Sequence, residues 1–130
     1  MNILSPILKG DIGERYITKH LKRNGYKILC KNMRNSCSEI DIIACKDNVI
    51  AFVEVKTRTA GQKIPAVYAV DNKKQKKIMS AAFKYLADNK IEKQPRFDVA
   101  EVYLDKSTHK VESINYIENA FYQGGSYGVF

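Results

Sequence analysis

The chain predicts an α/β fold in which a mixed sheet of about five strands is flanked by helices. Three observations carry that expectation. Between Glu39 and Lys56, two runs rich in β-branched residues flank a polar Lys46-Asp47-Asn48, which has the form of a hairpin. Both faces of this hairpin are apolar: Ile43, Cys45, Ile50 and Phe52 lie on one, and Ile40, Ile42, Ala44, Ala51, Val53 and Val55 on the other. On either side of it, Ser5 to Gly25 and Asp71 to Asn89 space their apolar residues as helices do. A hairpin that is apolar on both faces must be covered on both, so it should form the middle of a layered domain.

Taken in order, the first helix has Ser5 as its cap, Pro6 at its first position and Asn24-Gly25 as its stop. Gly10, Gly13, Glu14, Ile17 and Leu21 lie along one side, with Leu8 and Ile12 beside them. A glycine inside a helix costs about 1 kcal/mol relative to alanine, so two on the packed side point to close approach to another backbone or to a ligand. Tyr26 to Lys31 reads as a short strand and Asn32 to Ser38 as a polar loop. After the hairpin, Thr57 to Ala69 has no clear period and reads as a loop beside its end. The second helix is capped by Asp71 and turns Ile78, Ala81, Ala82, Tyr85 and Leu86 inward. Arg96 to Leu104 and Val111 to Ile117 read as the last two strands, with Asp98 expected in a structural ion pair with Arg96 or a lysine. Gln123 to Phe130 is glycine-rich without a period and is expected to be a mobile tail. The expected organisation is therefore a single domain over 1–122 and a tail over 123–130.

The balance of 45% hydrophobic and 28% charged residues is that of an ordinary soluble domain. A formal charge of +8 favours a polyanionic partner. No stretch reaches the ~20 apolar residues of a membrane helix, and the first residues do not resemble a signal peptide, so no membrane association and a cytoplasmic location are expected. Cys30, Cys37 and Cys45 form no CxxC unit, and His20 and His109 stand apart in sequence, a pattern that argues for reduced thiols and against zinc.

The hairpin also carries the chemistry. With a two-residue loop at Asp47-Asn48, antiparallel pairing sets Asp41 opposite Glu54 and Glu39 opposite Lys56, all four on one face. Opposed residues have Cβ atoms roughly 4.5 to 5.5 Å apart, where like charges repel. Partly desolvated carboxylates at such a position must be paired or bind a metal. The bland alternative pairs Glu39 with Lys56 and leaves Asp41 and Glu54 at a wet sheet end. Glu14 reaches the same region from the first helix, with an ion pair at the edge of the helix face as its bland reading. Lys73, Lys74, Lys76 and Lys77 crowd the first turns of the second helix, and Lys56, Arg58 and Lys63 cluster at the hairpin's end. Such lysine runs often form a solvated face, yet here they follow the acidic hairpin and suit phosphate contact.

An acidic strand residue, a turn and then Glu-x-Lys resembles the PD-(D/E)xK nuclease core, here Asp41 followed by Glu54-Val55-Lys56. The longer set is more specific: GxxGE at Gly10 to Glu14, GYKIL at Gly25 to Leu29, EIDIIA at Glu39 to Ala44, FVEVKTR at Phe52 to Arg58 and RFDV at Arg96 to Val99. Together these resemble the YraN-like family of small bacterial nuclease-like proteins, from about Gly10 to about Ile117. The Gly-x-x-x-Glu helix before the core is more distantly similar to archaeal Holliday junction resolvases. Ser38 stands where the family commonly has a glycine before the Glu-Ile-Asp run, which removes no ligand. The resemblance implies a restriction-endonuclease-like core and metal-dependent hydrolysis of a nucleic-acid phosphodiester, with branched or damaged DNA as a candidate substrate. Asp41, Glu54 and Lys56 would be catalytic. Mg²⁺ or Mn²⁺ would be held by Asp41 and Glu54, with Glu14 or Glu39 completing the shell. Arg58, Lys63, Lys73, Lys74, Lys76 and Lys77 would hold nucleic acid, and a symmetric homodimer is expected by analogy with resolvases. A competing expectation is a non-catalytic nucleic-acid-binding or protein-interaction module that keeps the nuclease fold.

Overall fold

The computed structural model describes residues 4–61 and 70–122, together with the backbone of 125–126. Helix α1 (Pro6–Arg23) precedes strands β1 (Lys27–Arg34), β2 (Glu39–Lys46) and β3 (Val49–Thr59); helix α2 (Asn72–Asp88) leads to β4 (Gln94–Leu104), β5 (Val111–Tyr122) and a two-residue β6 (Gly125–Ser126). The strands form one sheet in chain order, antiparallel throughout except for the parallel pair β3 and β4. That parallel pair needs a crossover, which α2 supplies.

Local chemistry sets the boundaries. The Ser5 hydroxyl accepts the Leu8 N–H at 3.2 Å and Asn24 closes α1. The Asp71 carboxylate accepts the Lys74 N–H at 2.8 Å and Asn89 closes α2. Asp47 adopts a φ of 53°, which lets two residues turn the β2–β3 hairpin and sets Lys46 opposite Val49.

The sheet is covered on both faces. Toward α2, Ile43, Ile50, Phe52, Phe97, Val99 and Phe121 pack with Ile78, Ala81 and Ala82. Toward α1, Ile42, Ala44, Ala51, Val53, Ala100 and Val102 pack with Ile17 and Leu21. Each large side chain so buried contributes about 1.5–3 kcal/mol. Helix α1 meets β3 at Gly13, where an added Cβ would stand 2.1 Å from Thr57 Oγ1 and 3.2 Å from Val55 Cγ1. Gly10 has no neighbour within 4 Å of such an atom. The close approach expected of two glycines is thus made by one, and Leu8, expected beside the packed stripe, is 51% exposed.

Three strands run further at their C-terminal ends than their sequences suggest, and β4 begins two residues earlier than expected, at Gln94. β1 continues to Arg34, because pairing with β2 satisfies backbone groups that a polar composition would assign to a loop. β3 continues to Thr59 against Leu104, so Thr57 and Arg58 are strand residues. β5 reaches Tyr122 and pairs through Phe121 and Tyr122 with Gly125–Ser126, inside the segment expected to be a tail. The rest of that tail, and residues 62–69 of the expected loop, lie outside the described residues.

Candidate functional site

β2 pairs with β3 only as far as Ile42 and Val53, whereas its pairing with β1 continues to Glu39 opposite Arg34. The two hairpin strands therefore part at Asp41. The parting also moves Ile40 into the α2-side cluster while Ile42 remains on the α1 side, which breaks the strict alternation expected of β2. Asp41 Oδ2 accepts the Val55 N–H at 2.8 Å, a donor that the separated strands no longer pair through their backbones.

Beside this break stands Glu54, 8% exposed. Its Oε2 is buried with no hydrogen-bond partner. Burial first, then hydrogen bonding and charge from Asp41, push its pKa up to about 9, against the opposing pull of Lys56 and Lys74. The two carboxyl groups expected to face one another are thus coupled, although the regular ladder ends one residue before them. Glu14 comes to the same region from α1. Burial and then the charge of Asp41 raise its pKa, while a hydrogen bond with Asn32 and the charge of Lys31 lower it.

Glu39 is placed differently. Its carboxylate accepts from Arg34 Nη2 at 2.7 Å across the β1–β2 pair, and the β2–β3 ladder does not extend to the expected pairing with Lys56. Among the described residues, no three His, Cys, Asp or Glu side chains converge on one metal position. The donors that do meet, Asp41 and Glu54, are all oxygen. An orphaned, buried carboxylate oxygen is the group that a hard cation relieves, and Mg²⁺ or Mn²⁺ commonly uses one or two carboxylates together with water and phosphate oxygens. The residues present fit such an ion.

The basic residues separate into distinct positions. Lys56 is half-buried on the Glu54 face and lies opposite Glu101 of β4. Lys74 is half-buried, and its charge reaches Glu54; Lys73 is exposed. Lys76 and Lys77 line a shallow groove with Cys37 and Ser80. Arg58 donates from Nε to Glu101 Oε2 at 3.1 Å, and Lys63 lies outside the described residues. Sequence reasoning missed Glu101, which is 1% exposed. The available signal was a carboxylate in the alternating series Phe97, Val99, Glu101, Tyr103, where apolar residues fill the preceding positions.

A family model described as uncharacterised protein family UPF0102 matches residues 13–102. The chain belongs to the UPF0102 family. This is the YraN family to which its motifs point. Among UPF0102 relatives, the protein of Caldanaerobacter subterraneus subsp. tengcongensis is 45% identical over 113 residues, covering 86% of this chain and 93% of the relative. Those of Alkaliphilus oremlandii and Clostridioides difficile are each 44% identical and each 96% covered, over 86% and 87% of this chain. The UPF0102 match takes in Glu14, Asp41, Glu54, Lys56 and the whole of α2. None of the described helices is long and apolar enough to cross a membrane.

Proposed function

We propose that this chain is a metal-dependent endonuclease acting on nucleic-acid phosphodiesters, with DNA, and branched or damaged DNA in particular, as the substrate class. The observation that carries the reading is the buried, partnerless Oε2 of Glu54 at the point where β2 and β3 part, with Asp41 and Lys56 beside it. A structural carboxylate would be expected to find donors; this one is left facing another carboxylate.

Asp41 and Glu54 would hold the Mg²⁺ or Mn²⁺ ion, with Glu14 as a more distant carboxylate. Such an ion supplies an acidified water and charge stabilisation at the phosphoryl group when bound. The chain's own groups do the rest. The backbone hydrogen bond from Val55 fixes Asp41 Oδ2, so one carboxylate is oriented before substrate arrives. Lys56 supplies a cation beside the phosphoryl oxygens and orients water. Lys73, Lys74, Lys76 and Lys77 follow the Asp71 cap and bring positive charge to the site's flank, where it would hold the phosphate backbone. Symmetric substrates such as four-way junctions favour action as a homodimer, and the activity would be exercised in the cytoplasm.

The test is a panel of single-stranded, duplex, flap and four-way DNA, with RNA controls, in Mg²⁺ and in Mn²⁺. Wild type should cut at least one DNA, and Asp41→Asn should lose about 10²–10³-fold in rate, the usual scale for removing a group that stabilises developing charge. Lys56→Ala should keep most of its affinity while losing cleavage, as expected of an interaction made chiefly in the transition state. Binding without cleavage in either metal would replace this reading with the non-catalytic nucleic-acid module, which the +8 charge also supports.

A further inference from the structure

Arg58 lies on the same face of β3 as Glu54 and Lys56, at the next alternate positions along the strand. Its partner Glu101 is 1% exposed and fully engaged: Oε2 accepts Arg58 Nε at 3.1 Å, and Oε1 accepts Asn115 Nδ2 from β5 at 3.0 Å. Tyr103 adjoins the same carboxylate, and burial followed by the Glu101 charge keeps its phenol protonated above its ordinary range. The arginine itself is only partly committed. Its side chain is 14% exposed, close to the 17% of Arg96, so bonding and not exposure sets it apart: it meets Glu101 through Nε, and no hydrogen bond from its Nη amines is found among the described residues. Among the described residues, the Arg96–Asp98 pair is closed by contrast. Arg96 donates to both oxygens of Asp98, from Nε at 2.9 and 3.2 Å and from Nη2 at 2.8 Å, and its Nη2 also reaches Tyr26.

A guanidinium matches a carboxylate or phosphate best through two parallel N–H donors. Using one donor to orient the group leaves the amine end for a second anion. We infer that Glu101 and Asn115 are positioning residues that hold Arg58 as a clamp for a phosphate of bound DNA, adjacent to the phosphate at Lys56. The inference rests on the nucleic-acid reading above and adds to it a carboxylate whose purpose is to aim a cation.

Charge alone and positioning predict opposite signs, which makes the inference testable. Glu101→Gln removes a negative charge from a basic surface, so a purely electrostatic account expects tighter DNA binding. Positioning expects weaker binding, because Arg58 loses its anchor. The probe is a fluorescein-labelled four-way DNA junction, with labelled duplex and single strand beside it, titrated in Ca²⁺ across a salt series. Wild type, Arg58→Gln, Glu101→Gln, Asn115→Leu and the Arg58→Gln/Glu101→Gln double variant are compared, with thermal melting run on each. Arg58→Gln and Glu101→Gln should each weaken binding about tenfold and lower the salt slope by about 0.9, the value of one phosphate contact. The double variant should bind no worse than Arg58→Gln, and Asn115→Leu should weaken binding without a change of charge. Equal or tighter binding by Glu101→Gln, or additive losses in the double variant, overturns the clamp and leaves the nuclease reading standing. If wild type binds none of the DNAs, the clamp and the nucleic-acid reading fall together.

Discussion

Asp98 and Glu54 are both buried carboxylates on neighbouring parallel strands, one register step apart, since Asp98 pairs with Val53 and Glu54 with Val99. They are treated in opposite ways. Asp98 is 0% exposed and accepts from Arg96, from the Tyr116 hydroxyl at 2.6 Å and from the Asn119 N–H at 2.9 Å. Its negative charge is neutralised and its lone pairs are used, and burial and that charge hold the Tyr116 phenol far above its ordinary value. Glu54 has a buried oxygen with no donor and another carboxylate for a neighbour. Burial alone therefore does not distinguish the two carboxylates. What separates the two is that the fold completes the hydrogen bonding of Asp98 and leaves an oxygen of Glu54 without a partner.

The strongest way to break the comparison is to remove each acid in turn. Asp98→Ala leaves the half-buried Arg96 without its main partner and the Tyr116 hydroxyl without its acceptor, and should destabilise the fold by about 3–5 kcal/mol, the scale of breaking a buried pair from one side. Chemical denaturation measures it. A loss below about 1 kcal/mol, the scale of an exposed pair, would mean that the Asp98 network is not the closed unit described.

Glu54→Gln should act in the other direction, and pH sharpens the contrast. In metal-free buffer the folded Glu54 holds its proton to about pH 9, whereas the unfolded chain releases it near the ordinary 4.5. Between these values the native state binds the extra proton, so its stability is fully present below the unfolded value and is lost as pH rises. The slope is at most about 1.4 kcal/mol per pH unit. Glu54→Gln should remove that slope and leave the variant more stable than wild type at pH 8. An unchanged slope would place the strained group elsewhere.

The same strain should make the wild type responsive to divalent ions. Mg²⁺ at ten times its dissociation constant stabilises the state that binds it by about 1.4 kcal/mol. Melting temperature should therefore rise with Mg²⁺ in wild type, more at pH 8 than at pH 6, and not in Glu54→Gln or Asp41→Asn. Calorimetry that finds equal Mg²⁺ binding in wild type and Asp41→Asn would move the ion away from this pair.

Smaller again is the effect expected of the α2 lysines on nucleic-acid affinity. Replacing Lys73, Lys74, Lys76 and Lys77 together should flatten the dependence of log K on log salt by about 0.9 for each phosphate that is no longer neutralised. Fluorescence anisotropy across a salt series reads it. A variant with the wild-type slope would assign those lysines to a solvated face.

Much of this molecule is written in local sequence. Ser5, Asp71, Asn24 and Asn89 delimit the helices because caps act through the nearest backbone groups, and Asp47-Asn48 sets the hairpin register because a two-residue turn leaves no slack. That register, read from the turn alone, holds as far as Ile42 and Val53, next to Asp41 and Glu54. The ordered motifs from Gly10 to Val99 carry the family. Tertiary structure alone decides where the hairpin opens. β2 stays with β1 and leaves β3 at Asp41, so Arg34 takes Glu39 out of the cluster and Ile40 changes side. It also decides that Arg58 is a strand residue bonded to Glu101, since 43 positions separate them and only the parallel pairing of β3 with β4 makes them neighbours. Turns and caps are settled within a few residues. Which buried carboxylate finds its donors depends on strands that meet only when the sheet has formed.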